Sequence, residues 1–137
     1  MAKRRALRIF RMVCLVVLLT GCVSRPQKTE KLRDLKFTVM DKADVPQEFS
    51  QIIEENKDMP FRLTYADQGF LYIAEGYGAQ KKSGYSVTVT EIYETETSIY
   101  FHTNLLGPEK GEETKAVTTF PYVVVKLKYL EKDVVFD

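Results

Sequence analysis

The sequence predicts an α+β, β-dominated domain, a small antiparallel β-sandwich or barrel-like sheet with one short helix. Three observations predict it. From Phe61 to the C-terminus, short segments rich in β-branched and aromatic residues alternate with turn-forming clusters, the pattern of a small β fold. Ahead of them, Phe49, Ile52 and Ile53 form a single apolar stripe at helical spacing. Between the two halves of the β region, Gly76-Tyr77-Gly78 leads through a polar turn into Tyr85-Ser86-Val87-Thr88-Val89, a segment of period two.

A leader precedes the domain. Its basic start, with Lys3, Arg4, Arg5, Arg8 and Arg11, is followed by the eight-residue apolar run Met12 to Leu19. That is far short of the roughly 20 residues needed to span a bilayer, so residues 1–21 read as a signal peptide. Leu19-Thr20-Gly21-Cys22 resembles a bacterial lipobox, which implies cleavage before Cys22 and acylation of its thiol. Each buried acyl CH₂ contributes about 0.8 kcal/mol, so two or three chains make a stable anchor. The expected location is therefore extracytoplasmic, lipid-anchored to the bacterial cell membrane. Residues 22–34 read as the anchored cysteine and a polar, aperiodic tether with a mean reach on the order of 20 Å. Residues 35–137 read as a single β-rich domain without internal repeats.

Within the domain, Leu35-Lys36-Phe37-Thr38-Val39-Met40 alternates apolar and polar side chains and reads as a first strand. Asp44 offers a helix N-cap ahead of Pro46, and Asn56 to Pro60 ends a helix of about three turns. Phe61–Ala66 and Phe70–Glu75 form a hairpin through Asp67-Gln68-Gly69, where glycine supplies the positive φ. Tyr85, Val87 and Val89 share one face, and Glu91-Ile92-Tyr93 shifts the phase by one, which signals a bulge or a strand end. After a turn at Glu94-Thr95-Glu96, Ser98 to Leu105 places Ile99, Phe101, Thr103 and Leu105 on one face. Gly107 to Lys115 is a polar loop. Phe120 to Leu127 is the last long strand, with Pro121 at its start where no ladder donor is lost, and Val134-Val135-Phe136 is a short closing one.

Composition removes several function classes. The formal charge of +1 includes five basic residues of the leader; without them 15 basic residues face 19 acidic ones, a charge of −4. A mildly acidic domain lacks the clustered cations that neutralise phosphates, so no nucleic-acid partner is expected. Cys14 would leave with the leader, and Cys22 alone makes no disulfide. His102 is the single histidine and falls in mid-strand without a nucleophile elbow nearby, so it reads as a strand histidine facing solvent. No histidine or cysteine pair is available for zinc, and Glu109 to Glu113 lacks the alternate-residue spacing of a calcium loop. The expectation is a non-enzymatic protein without cofactor or metal; a glycosidase would need a close carboxylate pair, and no acidic residue sits in a distinctive context.

What stands out is the turn. A phosphate cradle is excluded because a strand, not a helix, follows Gly76-Tyr77-Gly78. The turn carries Lys81, Lys82 and Ser83 between Tyr77 and Tyr85, the mixture of aromatic and adaptable polar groups with which β domains display binding surfaces. A plain hairpin turn, with glycines for geometry and lysines for solubility, is the competing reading.

Three stretches in the same order carry a family resemblance: Gly78 to Val87, Pro121 to Lys126 and Val134 to Phe136. Together they resemble the PrcB C-terminal domain family over about Phe70 to the end of the chain. The resemblance implies a bacterial lipoprotein or exported protein, related to a subunit that assembles and stabilises a surface protease complex whose catalysis lies in a separate chain. This chain has Lys81-Lys82-Ser83 where the family often has proline-threonine-glycine. The turn is also distantly similar to the loop with which chagasin-type inhibitors enter cysteine-protease clefts. The reading that follows is a protein-binding lipoprotein whose partner is an exported protease or another cell-surface protein, which it assembles, stabilises or inhibits. The expected contact residues are Tyr77, Gly78, Lys82, Ser83, Gly84, Tyr85, Phe120 and Tyr122, with aromatics as anchors. The alternative is a structural or small-ligand (glycan or peptide) binding envelope lipoprotein.

Overall fold

A computed structural model describes residues 30–137. The expected signal peptide, Cys22 and most of the tether lie outside the described residues. Among the described residues eight strands and one α-helix follow in order: β1 (Arg33–Asp34), β2 (Thr38–Val39), α1 (Gln47–Asn56), β3 (Pro60–Asp67), β4 (Phe70–Tyr77), β5 (Ser86–Glu94), β6 (Ser98–Leu106), β7 (Tyr122–Lys128) and β8 (Asp133–Phe136). They build two four-stranded sheets, β1-β5-β6-β8 and β2-β7-β4-β3, with no closed barrel. All pairings are antiparallel except β6–β8, which is parallel.

The alternation in the sequence decides which side chains meet between the sheets. Leu71 and Ile73 of β4 and Val123, Val125 and Leu127 of β7 face Ile92, Ile99 and Phe101 of the other sheet, and all are buried. The opposite face of β4 is buried as well. Tyr72 and Ala74 lie under α1 with Phe61 and Val124, against Phe49 and Ile53 of the helix. β4 is therefore covered on both faces, which explains its nearly unbroken apolar run, Phe70 to Ala74.

The helix covers a narrower stripe than the sequence suggests. Phe49 stacks on Tyr65 with ring centroids 5.3 Å apart, and Phe49 and Ile53 are each 1% exposed, whereas Ile52 is 39% exposed. Phe49 and Ile53 lie about 40° apart around the helix and Ile52 falls outside that arc. The helix also begins later than its expected cap. Asp44 belongs to a 3-10 turn, Lys42–Asp44, and Pro46 takes the N-cap position without a side-chain hydrogen bond. At the other end Asn56 Nδ2 donates to the Ile52 carbonyl at 2.7 Å.

The β3–β4 hairpin closes through Gln68 (φ 50°) and Gly69 (φ 81°), both in the left-handed region that a two-residue turn of this twist demands. In β5 the register against β6 shifts between Val89 and Glu91. The bulge moves the inward set from Val87 and Val89 to Ile92 and Glu94, which accounts for the change of phase in the sequence.

The stretch Leu35 to Met40 is not one strand. Arg33 and Asp34 pair with Glu94 and Tyr93 of one sheet, and Thr38 and Val39 pair with Lys126 and Val125 of the other. The chain thus crosses from sheet to sheet over the side of the sandwich, with Leu35 packed against the inter-sheet core. Arg33–Asp34, read from sequence as tether, is part of the fold; a two-residue strand is too short to show a period.

Candidate partner-binding site

The turn after β4 is placed by backbone constraints. Gly78 has φ 77°, and a Cβ there would sit 3.0 Å from Pro60 Cδ. Ala79 N–H then donates to the Asp58 carbonyl at 3.2 Å. Beyond it, Gln80 and Thr119 exchange backbone hydrogen bonds of 2.8 and 3.0 Å. Ser83 N–H donates to the Lys115 carbonyl at 3.0 Å, and Ser83 Oγ accepts from Lys115 N–H at 2.8 Å. Thr119 Oγ1 donates to the Lys82 carbonyl at 2.9 Å. Gly84 has φ 96°, and a Cβ there would lie 2.8 Å from Pro108 Cβ. Loop 78–85 is thus laced to loop 107–121, and the two form one surface with Lys81, Lys82 and Gly84 exposed.

The expected contact residues separate into two groups. Tyr77 turns inward: its hydroxyl lies 2.6 Å from Thr103 Oγ1, which donates to Glu75 Oε2 at 3.0 Å. Glu75 is 5% exposed, and Arg62 Nε donates to its Oε1 at 3.4 Å. This Tyr77–Thr103–Glu75–Arg62 chain satisfies polar groups buried between the sheets, and leaves Tyr77 with a structural task. Gly78 and Ser83 shape the loop. Tyr85, by contrast, meets Tyr122 at a cleft of about 280 Å³. One wall is Val39, Met40 and Lys42, the other is Tyr85 to Val87, and the start of β7 is the floor. Phe120 stands beside it, half-buried, with the Lys57 ammonium 5.0 Å from its ring centre.

Lys42 and the β2 end of the cleft were not legible in the sequence as part of a site. The Lys42 ammonium lies 4.3 Å from the centre of the Tyr122 ring, a cation–π contact. Tyr122 also packs on Phe61 at 5.9 Å, and burial pushes its phenol above the ordinary tyrosine pKa. The one signal available was the run Lys42 to Asp44 ahead of a proline, which marks a turn but not its neighbours.

On the outer side of β6, His102 Nδ1 donates to the Asp137 carbonyl at 2.7 Å. Among the described residues no group of three or more histidine, cysteine, aspartate and glutamate side chains is placed to hold a metal ion, and no helix is long and apolar enough to cross a membrane.

A two-sheet β-rich domain with one covering helix and a glycine-shaped, cross-laced loop pair is the class that fold and site define. Residues 71–128, from β4 through β7, match the family model described as PrcB C-terminal. The match includes the whole loop pair and ends before β8. No curated protein and no solved structure matches the chain.

Proposed function

We propose that the chain is a non-catalytic lipoprotein, anchored through Cys22 at the outer face of a bacterial membrane, whose β-sandwich binds an exported protease or protease complex. The observation that carries this reading is the match of residues 71–128 to the PrcB C-terminal model, a family that suggests a protease-complex-related role. The geometry is compatible: loop 78–85 is held in one shape by loop 107–121, so little ordering entropy remains to be lost on binding. Tyr85 and Tyr122, half-buried and adjacent, are the anchors of the contact surface.

The test is a pull-down from detergent-solubilised membranes with the full-length protein as bait, followed by mass spectrometry. An exported protease should be retained, and Tyr85→Ala should lower its recovery at least tenfold. Equal recovery with Tyr85→Ala and Lys82→Glu would remove the loop from the reading. Retention of no protein at all would favour the structural or small-ligand envelope reading. In a parallel fractionation Cys22→Ala should release the protein from the membrane.

A further inference from the structure

The side of the sandwich that carries β1 and β2 is only half closed. β1 pairs with β5 at Tyr93 and Glu94 alone, and β2 pairs with β7 at Val125 and Lys126. The flanking backbone extends each contact by one step, through Leu35 N–H to the Ile92 carbonyl and Met40 N–H to the Val124 carbonyl. Beyond that, Ser86 to Glu91 of β5 has β6 on one side and, among the described residues, no strand on the other. The cleft opens at the Ser86–Val87 end of this uncovered stretch, with Tyr85, Ser86 and Val87 on one wall and Tyr122 and Val123 on its floor. A strand edge beside an apolar trough is the arrangement that accepts an extended segment by adding it to the sheet.

The cleft's charge narrows the occupant. Lys42 is the one charged residue of its lining. Its ammonium is held over the Tyr122 ring and, among the described residues, makes no ion pair. Val39, on the same wall, is apolar and 57% exposed. A fixed cation beside uncovered apolar surface suits a carboxylate followed closely by a bulky apolar side chain.

We infer that the β5 edge and its cleft bind an extended, acidic segment of a partner polypeptide, in which an aspartate or glutamate side chain pairs with Lys42 and a neighbouring apolar side chain fills the trough between Tyr85 and Tyr122. The segment lies along Ser86–Glu91 as an added strand. This rests on the partner-binding reading above and specifies the chemistry of the partner.

The experiment is selection of a random linear heptapeptide library, flanked by glycines, on the full-length protein in detergent micelles. Selected peptides should carry an acidic residue within two positions of a bulky apolar one. Their affinity should fall at least tenfold with Lys42→Glu, be largely restored in Lys42→Arg, and change less than twofold with Lys110→Glu in the exposed loop. Amide hydrogen exchange should slow within residues 86–91 when the best peptide binds. Selection of peptides without an acidic residue, equal binding to Lys42→Glu, or protection falling outside residues 86–91 would overturn the inference. The membrane pull-down separates this outcome from the broader one. A protease retained equally by wild type and Lys42→Glu sinks the groove and leaves partner binding standing, whereas no retained partner sinks the broader reading.

Discussion

At Gly76 the side chain must be absent. A Cβ built there would lie 2.2 Å from Phe61 Cε1, and Phe61 is itself pinned between the helix layer and Tyr122. The glycine is therefore required for packing, since its φ is not in the left-handed region. Gly78, two residues on, is required for backbone geometry, with φ 77°. Gly76→Ala should cost about 1–3 kcal/mol, the range for overpacking a tight interior, read as a lower urea midpoint at unchanged slope. Gly69→Ala, which has open space around the position but φ 81°, separates the two mechanisms: its loss should come from backbone strain alone. In the sequence both roles look the same, because a glycine records that a Cβ is unwelcome but not why.

Among the elements, β3, β5 and β6 are legible because one face of each is the more buried and the period of two survives, whereas β4 and β7 show as apolar runs because both their faces are covered. β6 is the clearest case: Ile99, Phe101 and Thr103 are buried, as their spacing predicts. The bulge in β5 was legible too, as a break in that period. The short edge strands β1 and β2 were not, since two residues carry no period and their placement depends on partners distant in the chain. The helix is legible from its apolar spacing, but Ile52, which shares that spacing, lies outside the buried arc. Two matched substitutions test this difference. Ile53→Ala should lose about 2–4 kcal/mol, the range for emptying a buried aliphatic site, while Ile52→Ala should lie within about 0.5 kcal/mol of wild type. Chemical denaturation of both proteins decides it. The cleft was legible only by half: Tyr85 and Tyr122 stand in strand-like contexts the sequence reveals, whereas Lys42 arrives there because β2 crosses to the second sheet.

Across the whole molecule, Glu94 joins three separated segments. Its carboxylate is nearly buried, accepts from Lys132 Nζ at 2.9 Å in the β7–β8 connection, and pairs with Arg33 of β1. Lys132 also donates to the Thr95 carbonyl at 2.7 Å. The Lys132 ammonium is the main cause that holds the Glu94 carboxyl below the usual glutamate range; desolvation opposes it and the Arg33 guanidinium adds to it. A carboxyl depressed in the folded state binds its proton more readily when unfolded. Its contribution to stability is therefore complete above the ordinary glutamate pKa and is lost as the pH falls through the depressed native value. Thermal melts between pH 7 and pH 3 should show wild type losing stability on acidification. Glu94→Gln should start lower at pH 7 and fall less steeply, and parallel curves would show that the acid limb arises elsewhere.

The crossing from β1 to β2 has a mechanical consequence. The chain enters the fold through two residues at the edge of one sheet, and Leu35 behind them is a stopper in the space between the sheets. Tension applied at the N-terminal end falls first on those few hydrogen bonds and on the Arg33–Glu94 pair, before any long strand is loaded. Once they yield, Leu35 is drawn out and the uncovered length of β5 grows from Ser86 towards Glu94. The same pull would thus lengthen the unpaired edge of β5.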